Sequence, residues 1–421
     1  MKKMINKLKK SKVFKNSMWL TILQVVNTVI PILTIPYITR VLGTNEYGAF
    51  SIALNWILYL QVLVEFGFGL SGSRKVAIMS ESKDNKNLEQ LFNNIISSRI
   101  VLLVISFVIL NIIALISSFS MKIYLCMLIL FVMIIGTTFQ LTWLFQGKQD
   151  MKFITIINVI SRTISVALIF IMVNQKQDIY LYCLLYSITL LLSSCISLII
   201  AKRKYNLTFK FSKLNEIKSE ISDAKYLFAS SAMTKVFSGF GTTVLGIFST
   251  NSITGIFSAI YKIPYVLTMF FTPISQALYP YNSAKFKKSY YDGIQSVKKV
   301  CVPIIILFAI PSIIIIIFRN IIVNLLFGSE YTSYSIIVVP LVIQFIFAMI
   351  NNFLGIQILV ANGKTKNYSQ AFTIGCSAIV ILNVVLGKVF GIYGVSIAAA
   401  LGEFILTLAL LLKMKGMKKN D

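Results

Sequence analysis

Residues 36–72 read PYITRVLGTNEYGAFSIALNWILYLQVLVEFGFGLSG. An apolar helix closes at Arg40, a short polar turn covers Gly43 to Gly48, and a second helix follows that carries Glu65 in otherwise uncharged sequence. Part of the stretch recurs. YGAFSIA at 47–53 returns as TGIFSAI at 254–260, 207 positions later in a chain of 421. A second trace agrees: Gln146-Gly147-Lys148 is followed 216 positions later by Asn362-Gly363-Lys364. Either spacing is about half the chain, so the sequence reads as two related halves in a membrane, with function expected at the surface where the halves face each other.

Composition sets the environment. With 57% hydrophobic and 13% charged residues and a mean hydropathy of +0.81, the chain is far more apolar than a soluble domain, which carries roughly 25% charged residues. Apolar stretches near the roughly 20 residues needed to cross a bilayer number twelve: 17–39, 49–70, 94–117, 123–145, 153–173, 179–200, 225–249, 253–281, 298–318, 334–360, 367–387 and 391–412. The expected fold is all-α and polytopic, with six spans in each half: 1–200, a basic cytoplasmic linker at 201–222, and 223–421. An even number of spans per half gives both halves the same orientation, related by an axis along the membrane normal. The basic N-terminus resembles the start of a signal peptide, but the apolar run from Met18 to Thr39 is too long for one and is expected to remain as the first span.

The net charge of +26 would suggest nucleic acid in a soluble chain, yet here the charges follow the loops. Of the 40 Lys and Arg residues, 31 lie in the loops on the side of the N-terminus and 5 on the other (Arg40, Lys122, Lys176, Arg319, Lys388). The positive-inside rule then places both termini in the cytoplasm, and no nucleic-acid partner is expected. Five scattered cysteines, no CxxC pair and no histidine leave no metal set and no base for a Ser or Cys nucleophile. No catalytic residue, metal or cofactor is expected.

Ionisable groups inside spans cost about 2.5–3.5 kcal/mol each and are functional candidates. Arg99 and Glu65 lie roughly 7–8 Å from the cytoplasmic ends of their spans. Arg99 can snorkel to the surface, and Glu65 is in reach of Arg74, Lys75 or Arg99. Arg162, Lys235 and Lys262 lie roughly 13–15 Å deep, near the midplane. The first two sit on polar stripes at helical spacing: Thr155, Asn158, Arg162 and Ser165; Ser231, Lys235, Ser238 and Thr242. The first span carries Gln24, Asn27, Pro31 and Thr34 in the same way. Glu403 is the one deep carboxylate. Three deep cations against it leave a net positive interior that suits a phosphate-bearing cargo. The candidate cavity residues are therefore Arg162, Lys235, Lys262, Gln24, Asn27, Asn158, Ser231 and Ser238, with Glu65, Glu403 and Arg99 as candidates for ion coupling or charge balance. Prolines at 31, 36, 264, 273, 280, 311 and 340 are expected to interrupt spans. Trp19 and Trp143 fall near span ends, where an interfacial aromatic belt is expected.

PYITRVLGTNEYGAFSIA, EFGFGLSGSRKVA, WLFQGKQDMK and LLFGSEYTSYSIIVVPL together resemble the Wzx-type polysaccharide-repeat-unit flippases (O-antigen and capsule) of the MOP/MATE-like superfamily. That resemblance implies a V-shaped pair of six-helix lobes around a cationic cavity. It also implies transfer of an undecaprenyl-pyrophosphate-linked glycan between leaflets, with membrane lipids, a glycan polymerase and glycosyltransferases as partners. The alternative is an ion-coupled MATE-like exporter of small amphipathic molecules. Such exporters tend to carry a carboxylate in the first span, where this chain has Gln24 and Asn27.

Overall fold

The computed structural model describes residues 12–82, 85–117 and 119–417. The basic residues at 1–11 and 418–421, counted above for topology, lie outside the described residues. All regular structure among the described residues is helical. With no water in hydrocarbon to satisfy the backbone, a helix meets the need within one segment.

In chain order the helices are α1 (Lys12–Glu65), α2 (Phe68–Ser82), α3 (Asn85–Ile116), α4 (Met121–Phe139), α5 (Thr142–Gly147), α6 (Met151–Met172) and α7 (Ile179–Tyr205). Then come α8 (Leu214–Phe248), α9 (Asn251–Ile260), α10 (Lys262–Phe286), α11 (Tyr290–Ile317), α12 (Arg319–Phe327), α13 (Ser329–Thr332), α14 (Val338–Asn352) and α15 (Thr365–Met417). A π-helical turn, Phe353–Val360, extends α14. Among the described residues nine helical stretches are long and apolar enough to cross a membrane. Two of them, Lys15–Ser80 and Thr365–Lys415, have length for two passes. With α8, which stands outside the nine, every expected span falls on a helix.

Most breaks are not at the prolines; the exception is the eighth span, where one helix ends at Ile260 and the next begins at Lys262, just ahead of Pro264. Within α1 the one non-helical residue is Gly43 (φ 71°, ψ 177°), so the expected six-residue turn shrinks to a single glycine and Pro31 and Pro36 lie in continuous helix. Gly391 (φ 56°) divides α15 in the same way. Positive φ at these points is open to glycine at little cost. Pro273 and Pro280 sit inside α10, and Pro303 and Pro311 inside α11. Membrane helices tolerate proline because neighbouring groups take up the freed backbone carbonyls.

The chain forms two compact units, Met1–Thr34 with Ile52–Val236, and Ile35–Ser51 with Phe237–Asp421. Residues 35–51, from the first half of the sequence, thus pack in the second unit. There the two copies of the repeated motif meet. A Cβ on Gly48 would fall 1.8 Å from the Asn251 carbonyl oxygen, and one on Gly255 2.2 Å from that of Thr44, so both positions admit backbone and nothing more. The same segment is tied down further on. Arg40 donates to the carbonyls of Asn324 (3.4 Å), which also accepts from the Gly328 N–H (2.9 Å), and Leu325 near the end of α12. The Tyr331 hydroxyl donates to the Thr39 carbonyl at 3.3 Å. The core of the second unit is aromatic: Phe271 stands edge-on to Phe308 and Phe353, each at 5.8 Å.

In the first unit, the expected linker at 201–222 is mostly structured. Helix α7 runs to Tyr205 and α8 begins at Leu214. Between them the chain lies extended along α3. Thr208 donates to Glu89 (2.6 Å), the Lys210 N–H to Asn93 (2.9 Å), and Ser212 to Ser97 (3.0 Å) and Asn94 (2.7 Å). Alternate residues face α3, as an extended chain requires, and leave Phe209 and Phe211 exposed. Lys75 of α2 reaches Glu220 (2.8 Å) and Asp223 (2.9 Å) of α8. Trp143 is not in an interfacial belt. It is 1% exposed and packs over Gly72, whose missing side chain makes the room.

Candidate functional site

In the first unit two of the charged candidates, Arg99 and Glu65, stand at a break in the fourth span. Helix α4 ends at Phe139 and α5 starts at Thr142, leaving the last carbonyls of α4 without helical partners. Arg99 of α3 fills that gap. Its Nη1 donates to the carbonyls of Gln140 (2.9 Å), Thr137 (3.2 Å) and Thr138 (3.5 Å), and the residue is 4% exposed. The expectation that Arg99 snorkels is therefore corrected. The negative end of a helix in a dry interior holds a guanidinium more firmly than the distant headgroups draw it.

Glu65, the last residue of α1, stands beside this break. Its carboxylate accepts from Gln61 Nε2 at 3.2 Å, and the same amide donates to Thr137 Oγ1 at 3.2 Å. Glu65 lies within electrostatic range of both Arg99 and Lys235. Of its expected partners, Lys75 is engaged elsewhere, with Glu220 and Asp223. The backbone after Glu65 turns through positive φ at Phe66 (43°) and Gly67 (78°), which ends the helix and leaves the carboxylate at its exposed terminus.

The remaining candidates of this unit are spread over three helices. Lys235 of α8 is half-buried and Ser231 is exposed. Arg162 of α6 is half-buried, and its Nε has no hydrogen-bond partner among the described residues. Its neighbour Asn158 is half-buried and donates to the Ile154 carbonyl (2.8 Å). On α1, Gln24 and Asn27 are half-buried, and the Asn27 carbonyl oxygen has no partner among the described residues. The stripe on α6 does not act as one polar face. Thr155 donates to the Trp19 carbonyl (2.8 Å) and Ser165 to that of Leu185 (2.6 Å), both buried between helices.

In the second unit, Lys262 is the first residue of α10, half-buried, with its ammonium 5.5 Å from the centre of the Tyr265 ring. Ser238 is exposed. Glu403 is 6% exposed and bonds to neutral groups: Asn351 Nδ2 donates to its carboxylate (2.7 Å) and its main-chain carbonyl (2.9 Å). Thr407 closes the triangle by donating to Asn351 Oδ1 at 2.7 Å. No ion pair to Glu403 is present among the described residues. Sequence reasoning missed this partner and the polar chain beside it, in which Ser296 donates to Asn282 (2.9 Å), Asn282 to Gln357 (2.9 Å), and Gln357 to Ser275 (3.1 Å). Its signal was an uncharged doublet, Asn351-Asn352, followed by Gln357 in an apolar span.

The arrangement offers cations, amides and hydroxyls in apolar helices. Over 405 residues the chain is 27% identical to a protein of Escherichia coli (strain K12) named "Putative O-antigen transporter", covering 96% of this chain and 97% of that one. A probable low-salt glycan biosynthesis flippase of Haloferax volcanii is 26% identical over 246 residues, 58% of this chain and 51% of its own. Among solved structures, the lipid II flippase MurJ in an inward closed conformation superposes with a TM-score of 0.73 at 18% identity, over 96% of this chain and 87% of that one. An inward-facing MATE multidrug transporter of the MOP superfamily gives 0.70 at 13% identity, over 93% and 96%. These two establish the transporter fold. The model of the family described as "Polysaccharide biosynthesis protein" matches residues 13–286, more than half of the chain, and the protein belongs to that family.

Proposed function

We propose that this chain is a flippase that moves an undecaprenyl-pyrophosphate-linked oligosaccharide from the cytoplasmic to the outer leaflet of a bacterial inner membrane by alternating access. The observation that carries the reading is the set of basic side chains held deep in apolar helices, Arg162 and Lys235 in one unit and Lys262 in the other. A relative matched along nearly its whole length, whose name gives O-antigen as its cargo, supports the substrate class.

In this mechanism the pyrophosphate is neutralised by Lys235, Arg162 and Lys262 while the polyprenyl tail stays in lipid. Asn27, Gln24, Asn158, Ser231 and Ser238 supply hydrogen bonds to the headgroup. Glu65 provides countercharge to Lys235 when no cargo is bound, so that arrival of a phosphate exchanges one anion for another instead of exposing a bare cation to an apolar interior. Binding to one conformation in preference to the other then shifts the population between them. A glycan polymerase and glycosyltransferases are the proposed partners on either side of the step.

The test is transport of lipid-linked oligosaccharide by purified protein in liposomes. Lys235→Ala and Arg162→Ala should each lower the rate at least tenfold with the folded protein retained, about 1.4 kcal/mol or more at the transition state. Wild-type transport by both variants removes the cations from the mechanism. Absence of transport by the unmodified protein removes the flippase itself.

A further inference from the structure

Within the second unit, α10, α14 and the π-helical turn line an open cavity of about 410 Å³. That size falls in the small-molecule range of roughly 300–1,000 Å³. Its floor is apolar: Phe271, Phe345 and Met349 are 5%, 4% and 1% exposed. Its rim is polar and uncharged. Thr268, Thr272, Gln276 and Tyr279 follow one another along α10 at helical spacing, with Asn352 facing them from α14.

Three of the rim groups have bonding capacity to spare. Ser275 donates to Asn352 Oδ1 at 2.6 Å, which fixes that carboxamide and leaves its two N–H donors without a partner among the described residues. The side chains of Gln276 and Tyr279 make no hydrogen bond among the described residues, and both remain accessible. Beneath them Gln357, fully buried, donates to the Ser275 hydroxyl and carbonyl and accepts from Asn282, so the rim stands on a bonded polar support.

This chemistry excludes the two most obvious occupants of a membrane transporter. No basic residue lines the cavity, so a phosphate would lie there uncompensated. A hydrocarbon chain would cover Gln276, Tyr279 and the Asn352 amide without bonding them, which leaves each group desolvated and unpaired. A ligand with one face of C–H groups and an edge of hydroxyls satisfies both walls at once. We propose that this cavity is a carbohydrate subsite, which receives an uncharged sugar ring with its C–H face on Phe271, Phe345 and Met349 and its hydroxyls on Gln276, Tyr279 and Asn352. The assignment rests on the flippase reading above and adds to it a place, lined by uncharged groups, where the glycan is read.

Purified full-length protein is tested with three probes: the source cell's own polyprenyl-pyrophosphate glycan, undecaprenyl pyrophosphate without sugar, and the free glycan released by mild acid. Gln276→Leu and Tyr279→Phe, combined, should lower transport of the intact lipid about tenfold and leave binding of undecaprenyl pyrophosphate within twofold. Ala348→Phe, which narrows the cavity from α14, should do the same. Unchanged transport in all the folded variants, or an equal fall in both readouts, overturns the subsite. If the unmodified protein transports nothing, the flippase reading fails by itself. The subsite then stands on saturation-transfer signal from the free glycan that the double variant abolishes, and falls if the unmodified protein gives none.

Discussion

Arg99 shows how much one side chain does when a membrane helix is interrupted. Three carbonyls at the α4 terminus gather around it, and a single guanidinium nitrogen serves all of them. Arg99→Leu keeps the volume and removes the donors, and should cost about 3–5 kcal/mol, since each buried acceptor left unpaired costs about 1–3 kcal/mol and the interior relaxes in part. Thermal unfolding in detergent measures it, with Arg99→Lys expected to fall between the two because one ammonium cannot present the same planar fork. A melting temperature unchanged in Arg99→Leu would mean that the carbonyls find other partners. The sequence places Arg99 at the right depth but not in its role, because depth does not reveal that the neighbouring span is broken at Gln140. The same limit applies to Glu403. Its burial was legible from hydropathy, whereas its bond to Asn351, 52 positions away, depends on how α14 and α15 pack. Lys235 and Glu65, by contrast, were singled out from charge alone, and the structure sets them within electrostatic range of each other.

Between elements, a polar tie in the first unit joins α2 to α8 through Lys75, Glu220 and Asp223. Partial burial disfavours the Lys75 ammonium, but the bonds to the two carboxylates outweigh it and hold the lysine above its ordinary value. A raised folded-state value means that the stabilisation is fully present below the ordinary lysine range and is lost as pH rises through the folded value. At pH 7 the tie is therefore intact. Glu220 is 5% exposed, so Lys75→Met leaves a buried carboxylate unpaired and should cost about 1–3 kcal/mol, between the values for surface and buried pairs. Asp223→Asn, on an exposed partner, should cost less than about 1 kcal/mol. Chemical denaturation at pH 7 and again above pH 11 tests the pair: the Lys75→Met difference should shrink at the higher pH, and a difference that grows would contradict the assignment. Helices were legible at this scale and their joints were not. Apolar runs of 20 or more residues announce themselves, while the extended run at 206–213 owes its course to Asn93, Asn94 and Ser97 on a different helix. Prolines misled for a related reason. A chain in lipid repairs the backbone around proline, and most of the real breaks came where glycine, or a cation such as Arg99, made one affordable.

Over the whole molecule, duplication and charge are two readings of a single arrangement. The motif that revealed the repeat is also a packing surface: Gly48 and Gly255 are its equivalent glycines, 207 positions apart, and a Cβ on the second would lie 2.8 Å from the backbone nitrogen of the first. Such a match was legible as similarity, and its physical reason is the close approach of two backbones. Charge adds the direction. With 31 basic residues in one set of loops and 5 in the other, each misplaced Lys or Arg near a span end opposes the orientation, and the inner-leaflet potential contributes about 1 kcal/mol per basic residue near the surface. Both termini should therefore be cytoplasmic. A fluorescent protein fused after Asp421 should mature and fluoresce, and alkaline phosphatase at the same place should be inactive. Phosphatase inserted after Lys176, in the short loop before α7, should be active. To reverse this, charges on the sparse side must come to dominate, so adding six lysines around Lys122 and Lys176 while neutralising Lys202, Arg203 and Lys204 should give mixed or failed insertion. An active phosphatase at Asp421 in the unmodified chain would put the basic loops outside. The deep cations would then meet the cargo from the wrong leaflet, and the proposed direction of transport would have to be reversed.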